Sequence, residues 1–243
     1  MSLFITFEGG EGVGKSTQAK ALAERLRKGK KWRNAIYAEE PGTTLLGRML
    51  RVWVRGRGRS LTLIPEDETQ LSLLEPRMGD HILPSIILRG VAPHAELLAF
   101  TIARAQLVEE VLLPNLKKNN IVICNRYADS TTAYQGYGRG LDLKLVELAN
   151  NIATQGLKPD LTILLDLAPE EGLARKWGTN KKDLFEKQVL DFLDFHHRVR
   201  EGYLKMAGDD PQRWLVVDAT KSKDEIAQII WQRVSQLLLK QGG

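Results

Sequence analysis

A glycine-rich segment near the start of the chain has the residue types and spacing of a phosphate-binding site. Residues 9–16 read GGEGVGKS, which fits the pattern G-x-x-x-x-G-K-[ST]. An apolar run at Leu3–Phe7 precedes the segment and an amphipathic stretch at Lys15–Lys28 follows it, so the loop is predicted to join a strand to a helix. Backbone N–H groups of such a loop, together with the positive end of the helix, bind phosphate oxygens.

The loop predicts both a ligand class and the residues that would hold the ligand. Lys15 can reach the β- and γ-phosphates of a nucleoside triphosphate, and the Ser16 hydroxyl can coordinate Mg²⁺. We therefore expect ATP or GTP to bind here with Mg²⁺. The predicted triphosphate-binding residues are Gly9, Gly10, Glu11, Gly12, Val13, Gly14, Lys15, Ser16 and Thr17.

Composition and charge set only broad limits on function. Hydrophobic residues make up 43% of the 243 residues, charged residues 27%, and the formal net charge is +5. These values are typical of a globular domain and are compatible with a small anionic ligand. The single cysteine, Cys124, excludes an internal disulfide framework and a cysteine-based zinc cluster. With no nucleic-acid-binding motif, signal peptide or membrane-spanning run, we expect a cytoplasmic protein that binds neither nucleic acid nor membrane.

Short apolar runs alternate with long amphipathic stretches along the chain, which favours right-handed crossovers and a parallel sheet with helices on both faces. We predict the three-layer α/β fold of P-loop NTPases, in one domain spanning residues 1–243. Strands are predicted at Leu3–Phe7, Ala35–Ala38, Ile121–Cys124, Leu161–Leu165 and Trp214–Val217, and helices at Lys15–Lys28, Glu96–Leu116, Leu143–Ala153, Asp183–Ala207 and Asp224–Leu239.

One segment, residues 52–93, has no place in this alternation. It opens with a basic glycine-rich run at 55–59 and contains two possible strands, Leu61–Ile64 and Ile86–Leu88. A structureless loop of this length is uncommon inside a compact domain, so we predict an inserted hairpin or small subdomain. Three roles remain open for it: an oligomer contact, an additional lid, or a passive decoration.

Further motifs resemble those of the thymidylate kinase family. The phosphate loop within residues 7–17 is similar to the loop of that family, and EPGTT at 40–44 resembles its R-E-P-G-G-T segment. NRYADS at 125–130, followed by AYQG at 133–136, resembles its D-R-Y-x-D-S…A-Y-Q-G motif. The similarity covers nearly the whole chain except residues 52–93. It implies a Mg²⁺-dependent homodimer that transfers the γ-phosphoryl group of ATP to dTMP, giving dTDP for dTTP synthesis.

The resemblance also implies individual roles. Phe100 would stack on thymine, Glu11 would accept a hydrogen bond from the sugar 3′-hydroxyl, and Tyr134 would crowd the 2′ position. Taken singly, a phenylalanine on an apolar helix face such as Phe100 is more often a core residue, and Tyr134 fits a packing residue. The implied acceptor-binding residues are Glu11, Pro41, Arg51, Phe100, Arg104, Arg126, Thr131, Tyr134 and Gln135, and the implied catalytic residues are Lys15, Arg126, Arg175, Lys181 and Lys182. The basic stretch at about 175–186 would form a lid over the donor, or else a solvated loop.

Some positions depart from the motifs of the family. The aspartate of D-R-Y is Asn125, which supplies no negative charge near a metal, so Glu8 and Asp166 at predicted strand ends are candidates to assist the metal instead. The arginine of R-E-P is Glu39, which would repel an acceptor phosphate unless its side chain points away. Two alternative functions therefore stay open. One is a kinase of the same fold for another nucleoside monophosphate, and the other is a weakly catalytic nucleotide-binding module whose insertion binds a partner.

Overall fold

The computed structural model describes residues 2–29, 34–55, 91–178 and 190–240. Within these residues, five parallel strands form one sheet with the order β2-β3-β1-β4-β5. Each strand boundary lies within one residue of its predicted position, so the predicted α/β fold is confirmed. The strands are β1 (Leu3–Glu8), β2 (Ile36–Glu39), β3 (Ile121–Asn125), β4 (Leu161–Asp166) and β5 (Trp214–Asp218).

Helices cover both faces of the sheet. Two π-helical segments, π1 and π2, each follow directly on an α-helix. Because π1 interrupts it, the single helix predicted at Glu96–Leu116 is divided into α3, π1 and α4. The helices are α1 (Lys15–Lys28), α2 (Leu45–Arg55), α3 (Pro93–Leu107), π1 (Val108–Leu112), α4 (Leu113–Lys117), α5 (Ala128–Thr131), π2 (Thr132–Gly138), α6 (Leu143–Thr154), α7 (Pro169–Trp177), α8 (Leu190–Asp209) and α9 (Lys223–Lys240).

The three central strands, β1, β3 and β4, are buried on both faces, which explains why they are nearly continuous apolar runs. On β1, Ile5 faces the layer formed by α1 and α9, where it shares a core with Leu22 and Ile230. Phe4 points to the opposite face and packs with Leu107 at the end of α3. Alternate residues of one strand therefore hold two helical layers against the same sheet.

The strand order places a ligand crevice at the carboxyl edge of the sheet. The chain passes from β1 to β2 on one side and later from β3 to β4 on the other, so the direction of winding reverses beside β1. Phe7 near the end of β1 lies in register with Asn125 at the end of β3. Open α/β sheets bind ligands in the crevice outside such neighbouring strand ends.

The boundaries predicted for the insertion need correction. Residues 52–55 belong to α2 and Pro93 belongs to α3. The start of the insertion was predicted too early because a basic, glycine-rich run begins at residue 55. The apolar residues at helical spacing, which belong to α2, extend to residue 54. Most of the segment, with both of its predicted strands, lies outside the described residues. In the portion of the chain that the structure describes, no helix is long and apolar enough to cross a membrane.

Candidate active site

The phosphate loop lies between β1 and α1 and is tightly packed against its neighbours. Gly9 and Gly12 have positive φ angles of 133° and 68°. A Cβ atom on Gly9 would lie 2.5 Å from the carbonyl oxygen of Leu165, and one on Gly12 would overlap the carbonyl of Gly172 in α7. Both the backbone conformation and the surrounding space therefore require glycine at these two positions.

Lys15 is buried at the centre of this loop. Its Nζ donates hydrogen bonds to the carbonyl oxygens of Gly9, at 3.1 Å, and of Gly10. Burial, together with the positive charge of Arg126, lowers the pKa of Lys15 well below its usual value. The loop therefore encloses a cation at the amino end of a helix, which is the arrangement that binds a phosphate anion.

A cavity of about 330 Å³ opens beside the loop, at the carboxyl edge of the sheet. Its walls come from the phosphate loop, the segment after β2, α2, α3, α5, π2, the end of α7 and α8. The structure brings together in this cavity all nine acceptor-binding residues that the sequence implies. They are Glu11, Pro41, Arg51, Phe100, Arg104, Arg126, Thr131, Tyr134 and Gln135.

Arg104 forms the floor of one end of the cavity and is completely buried. Its guanidinium donates hydrogen bonds to both carboxylate oxygens of Glu40, to Asn150 Oδ1 at 2.6 Å and to Thr131 Oγ1 at 2.7 Å. A buried arginine needs this many partners because an unpaired charge in the core is strongly destabilising. Arg104 is therefore held in one orientation. Phe100 lies one helical turn before it on α3.

The amide of Gln135 is fixed next to this floor. Gln135 Nε2 donates to Glu96 Oε1 at 2.7 Å, and the other oxygen of Glu96 accepts from Arg139 at 2.9 Å. Both Glu96 and Arg139 also line the cavity. This end therefore combines one aromatic ring with several oriented polar groups, which is the composition of a site for a planar heterocyclic base.

Arg126 dominates the opposite end of the cavity. Its backbone is in the left-handed region, with φ 71°, and its N–H donates to the carbonyl of Phe7 at 3.0 Å. The guanidinium donates to Glu11 at 2.9 Å, to Tyr134 Oη at 3.1 Å and to Ser130 Oγ at 3.2 Å. A strained backbone that is fixed by several side-chain contacts is common at functional sites.

Glu11 connects the loop to two other elements. Besides Arg126, it accepts a hydrogen bond from Tyr134 Oη at 3.1 Å and one from Lys176 Nζ at 2.7 Å. Burial opposes ionisation of this carboxyl, but the charges of Arg126, Lys15 and Lys176 hold its pKa well below the usual range. Glu11 is therefore ionised in neutral solution and holds the end of α7 against the cavity.

Glu39 does not face the cavity as an isolated anion. Its carboxylate forms an ion pair with Arg51 at 2.9 Å, and both side chains are about 30% exposed. The repulsion of an acceptor phosphate that the sequence suggested is therefore offset by the cation twelve residues further along the chain. The pair joins β2 to α2 across the mouth of the cavity.

Asn125 lies beside the hydroxyl that the sequence predicts to hold a metal. Its Nδ2 donates to Ser16 Oγ at 2.9 Å. Its Oδ1 is buried and has no hydrogen-bond partner among the described residues. A buried amide oxygen without a partner has a cost that a ligand or an ordered water can remove.

The two carboxylates that were suggested as metal helpers both have protein partners, and their role at a metal stays a prediction. Asp166 forms a two-pronged ion pair with Arg200, at 2.7 and 2.8 Å. Glu8 is fully buried and accepts from Tyr127 N, Ser130 Oγ and Tyr203 Oη. The described residues contain no cluster of three or more histidine, cysteine or acidic side chains suited to a metal ion.

The predicted lid residues are divided between described and undescribed parts of the chain. Arg175 donates to the carbonyl of Ala219 at 2.9 Å and to Glu171 at 2.7 Å, and it does not line the cavity. Its catalytic role stays a prediction. Lys181 and Lys182 lie outside the described residues. Of the members of this stretch at residues 175–178, Lys176 is the one that lines the cavity.

An aromatic wall on α8 was not predicted from the sequence. Phe192, Phe195 and His196 line the cavity, and the His196 ring lies 4.5 Å from Phe192 and 5.2 Å from Phe195, measured between centroids. Their spacing of three and four residues on one predicted helix was the available signal. Burial lowers the pKa of His196 to about 4, so its imidazole is neutral at physiological pH.

Comparison with known proteins gives a consistent result along the chain. The family model described as "Thymidylate kinase" matches residues 7–66 and 75–230, and so extends into both ends of the segment predicted as an insertion. A thymidylate kinase of Dehalococcoides mccartyi is 42% identical over 238 residues, which cover 98% of each chain. One of Deinococcus radiodurans is 41% identical over 234 residues, covering 96% of this chain and 97% of the relative.

Solved structures include a similar fold. The crystal structure of a thymidylate kinase from Ehrlichia chaffeensis matches with a TM-score of 0.61 and 30% sequence identity. The match covers 89% of this chain and 92% of that chain. The similarity in sequence and the similarity in three-dimensional structure therefore extend over the same, nearly complete length.

Proposed function

The chain belongs to the thymidylate kinase family, and we propose that its phosphate loop and the adjoining cavity together form the active site. The reaction is transfer of the γ-phosphoryl group of ATP to dTMP, which yields ADP and dTDP. One observation carries the assignment of the site. Nine residues that the motifs imply for the acceptor, contributed by separate elements, line a single cavity next to the loop.

The donor end of the site is the phosphate loop. The backbone N–H groups of the loop and the amino end of α1 bind the β- and γ-phosphates of ATP. Lys15 Nζ, which bonds the carbonyls of Gly9 and Gly10, adds the charge that stabilises the transferring group. The close packing of Gly12 against Gly172 also brings α7 onto the loop, so the start of the lid borders the donor.

The acceptor phosphate lies at the end of the cavity that contains Arg126. An oxygen of the dTMP phosphate is already ionised, so it attacks the γ-phosphorus without a general base. A bond forms from that oxygen to phosphorus as the bond to the β–γ bridging oxygen breaks, and ADP leaves. Arg126 and Arg51 balance the charge of the two anions, because guanidinium groups form paired hydrogen bonds with phosphate oxygens.

The opposite end of the cavity receives the thymine base. Phe100 offers its ring for stacking on the base, and Arg104, Thr131 and Gln135 supply polar groups for its edge. Arg104 and Gln135 are already held in place by Glu40 and Glu96, so little rotational freedom is lost when the base binds.

Magnesium fits the residues at the end of β3. Mg²⁺ usually binds one or two protein ligands together with substrate phosphates and several waters, so a large carboxylate cluster is unnecessary. Ser16 Oγ would hold the ion, and the unpartnered Oδ1 of Asn125 would accept a hydrogen bond from a water near it. When bound, the ion would neutralise charge on the ATP phosphates. Substitution Asn125→Asp should lower the Mg²⁺ concentration that gives half-maximal ATP binding, whereas an unchanged concentration would contradict this role.

An acceptor panel tests the proposed function directly. ADP release with ATP and Mg²⁺ is measured for dTMP, dUMP, dCMP, dGMP and thymidine. We expect dTMP to have the highest kcat/KM, about tenfold above dUMP, since one methyl group in an apolar pocket changes recognition by roughly that factor. Thymidine should give no turnover, because its neutral hydroxyl would need a general base.

Other results of this panel identify the alternatives. Faster turnover of a different monophosphate would show a kinase of the same fold with altered base recognition. Binding of ATP without turnover of any acceptor would show a nucleotide-binding module with little catalysis. Thermal shifts with each nucleotide separate binding from turnover in both cases, because a ligand stabilises only the folded state that it binds.

We also propose that the protein is a homodimer that pairs through α2, α3 and α6. These helices pack side by side, and each exposes an apolar stripe at helical spacing. Together the stripes form a contiguous helical face that is unusually apolar for a monomer surface. The exposed side chains are Leu45, Met49 and Trp53 on α2, Leu98 and Ile102 on α3, and Leu145, Leu148 and Ile152 on α6.

A further inference from the structure

The middle of the cavity must accommodate the sugar of the acceptor. In a nucleoside monophosphate the sugar links the base to the phosphate, so residues between Arg104 and Arg126 face the sugar. Tyr134 lies in this middle section, because its hydroxyl bonds Arg126 and Glu11 while its chain neighbour Gln135 faces the base end. The deoxyribose of dTMP has a single free hydroxyl, at the 3′ position.

His196 lies in the same middle section. Its ring stands edge-on to the ring of Tyr134, with centroids 6.3 Å apart and planes at 86°. Among the charged groups around His196, Glu11 has the largest electrostatic effect on its ionisation, ahead of Lys176 and Arg126. Two cations and a buried aromatic setting keep the imidazole neutral, so it retains one N–H donor and one acceptor nitrogen.

The imidazole of His196 is buried and has no hydrogen-bond partner among the residues that the structure describes. Only 6% of the residue is exposed. Polar groups that are this deeply buried normally find a partner, so the nitrogens are available to a ligand in the cavity.

We propose that His196 acts together with Glu11 to bind the 3′-hydroxyl of the acceptor nucleotide. The Glu11 carboxylate accepts a hydrogen bond from the hydroxyl, as the resemblance implies, and the His196 N–H donates one to the hydroxyl oxygen. His196 is then a substrate-binding residue that favours acceptors with a free 3′-hydroxyl. The inference rests on the proposed location of dTMP in this cavity and adds a contact that neither the motifs nor the family resemblance assigned.

The test pairs a substitution with a modified substrate. Binding of dTMP and of 3′-deoxythymidine 5′-monophosphate, which lacks the 3′-hydroxyl, is measured by calorimetry for the wild type and for His196→Phe. The phenylalanine ring preserves the aromatic packing and removes both nitrogens. We expect His196→Phe to weaken dTMP binding about three- to tenfold, the usual effect of losing one neutral hydrogen bond, and to leave binding of the 3′-deoxy analogue unchanged.

A matched control and a rescue variant keep the test specific. His197→Phe makes the same change at the neighbouring residue, which pairs with Glu170 outside the cavity, and should alter neither affinity. His196→Gln retains an N–H donor and should recover most of the dTMP affinity, with its melting temperature reporting on folding. An equal loss for both nucleotides in His196→Phe, or no recovery in a folded His196→Gln, would overturn the 3′-hydroxyl assignment. Failure of the wild type itself to bind dTMP would instead overturn the proposed function.

Discussion

At the scale of single residues, each cation that faces the cavity already has a protein oxygen as partner. Arg126 and Lys176 both bond Glu11, and Arg51 bonds Glu39. Such pairing reduces the cost of burying the cations and fixes their positions. A substrate phosphate can then add to a preorganised set of donors, and electrostatic preorganisation is usually the largest contribution to catalysis.

Substitution of Arg126 tests this arrangement. Arg126→Lys keeps the charge but loses the planar group that contacts Glu11, Ser130 and Tyr134 together. We expect kcat/KM for dTMP to fall about a hundredfold with little change in the KM for ATP. Arg198→Lys is the matched control, since within the described part of the chain Arg198 bonds the carbonyl of Gly138 alone, and it should retain full activity. A comparable loss in both variants would mean that Arg126 acts through folding.

The buried carboxyl of Glu8 should make the stability of the protein depend on pH. Burial, with a contribution from Asp129, raises the pKa of this carboxyl to about 7 in the folded protein, against 4.5 for the ordinary group. Between these two pH values the folded chain keeps a proton that the unfolded chain releases, so the free energy of unfolding decreases as pH rises. The full decrease is about 3 kcal/mol by the conversion of pKa shift to free energy.

Urea unfolding between pH 4.5 and 8 measures this effect. Glu8→Gln cannot ionise at this position, so its free energy of unfolding should not show this decline. The stability of Glu8→Gln relative to the wild type should therefore increase as the pH rises. Glu24→Gln, on the exposed side of α1, should keep the decline of the wild type. Parallel pH profiles for Glu8→Gln and the wild type would show that Glu8 does not titrate in this range.

At the scale of elements, the contact between the phosphate loop and α7 limits what the loop can contain. A methyl group on Gly12 would overlap the carbonyl of Gly172, and one on Gly172 would overlap the carbonyl of Glu11. The loop and α7 must therefore shift apart if either position gains a side chain. Because the loop binds the donor and α7 begins the lid, this contact couples their positions.

Gly12→Ala should therefore abolish most of the thermal stabilisation that ATP confers. Gly140→Ala is the matched control, because Gly140 also has a positive φ, of 75°, but open space around its Cβ position. That variant should lose about 1 kcal/mol of stability from backbone strain and keep the full ATP response. If Gly12→Ala retained the ATP-induced shift, the close contact would not determine donor binding.

The elements differ in how well the sequence predicts them, for physical reasons. The three central strands are apolar runs buried on both faces, so their limits follow from hydrophobicity alone, as at Leu161–Asp166. Helix α2 was missed because a basic, glycine-rich run follows it directly, although its apolar residues and the arginines Arg48 and Arg51 alternate at helical spacing. The motifs identified the acceptor-binding residues but not the residues that hold them in place. Arg104 bonds Glu40 and Asn150, which lie 64 and 46 residues away from it in the sequence, and no local spacing predicts such contacts.

At the scale of the whole molecule, the two helical layers have different surfaces. The layer of α1 and α9 covers one face of the sheet, and the layer of α2, α3 and α6 exposes its apolar stripes on the other side of the molecule. Since α2 and α3 carry Arg51, Phe100 and Arg104, a partner subunit seated on this layer would support the acceptor cavity from behind.

The proposed dimer predicts that a charge on this layer separates the subunits. Leu98→Glu places a carboxylate at the centre of the stripes, where a buried unpaired charge is strongly destabilising to an interface. We expect sedimentation equilibrium to show a dimer for the wild type and a monomer for Leu98→Glu. Leu239→Glu is the matched control, because Leu239 is 77% exposed on α9 and should leave the dimer intact. Affinity for dTMP should fall in the monomer, as α2 and α3 lose their support, whereas a dimeric Leu98→Glu would place the interface elsewhere.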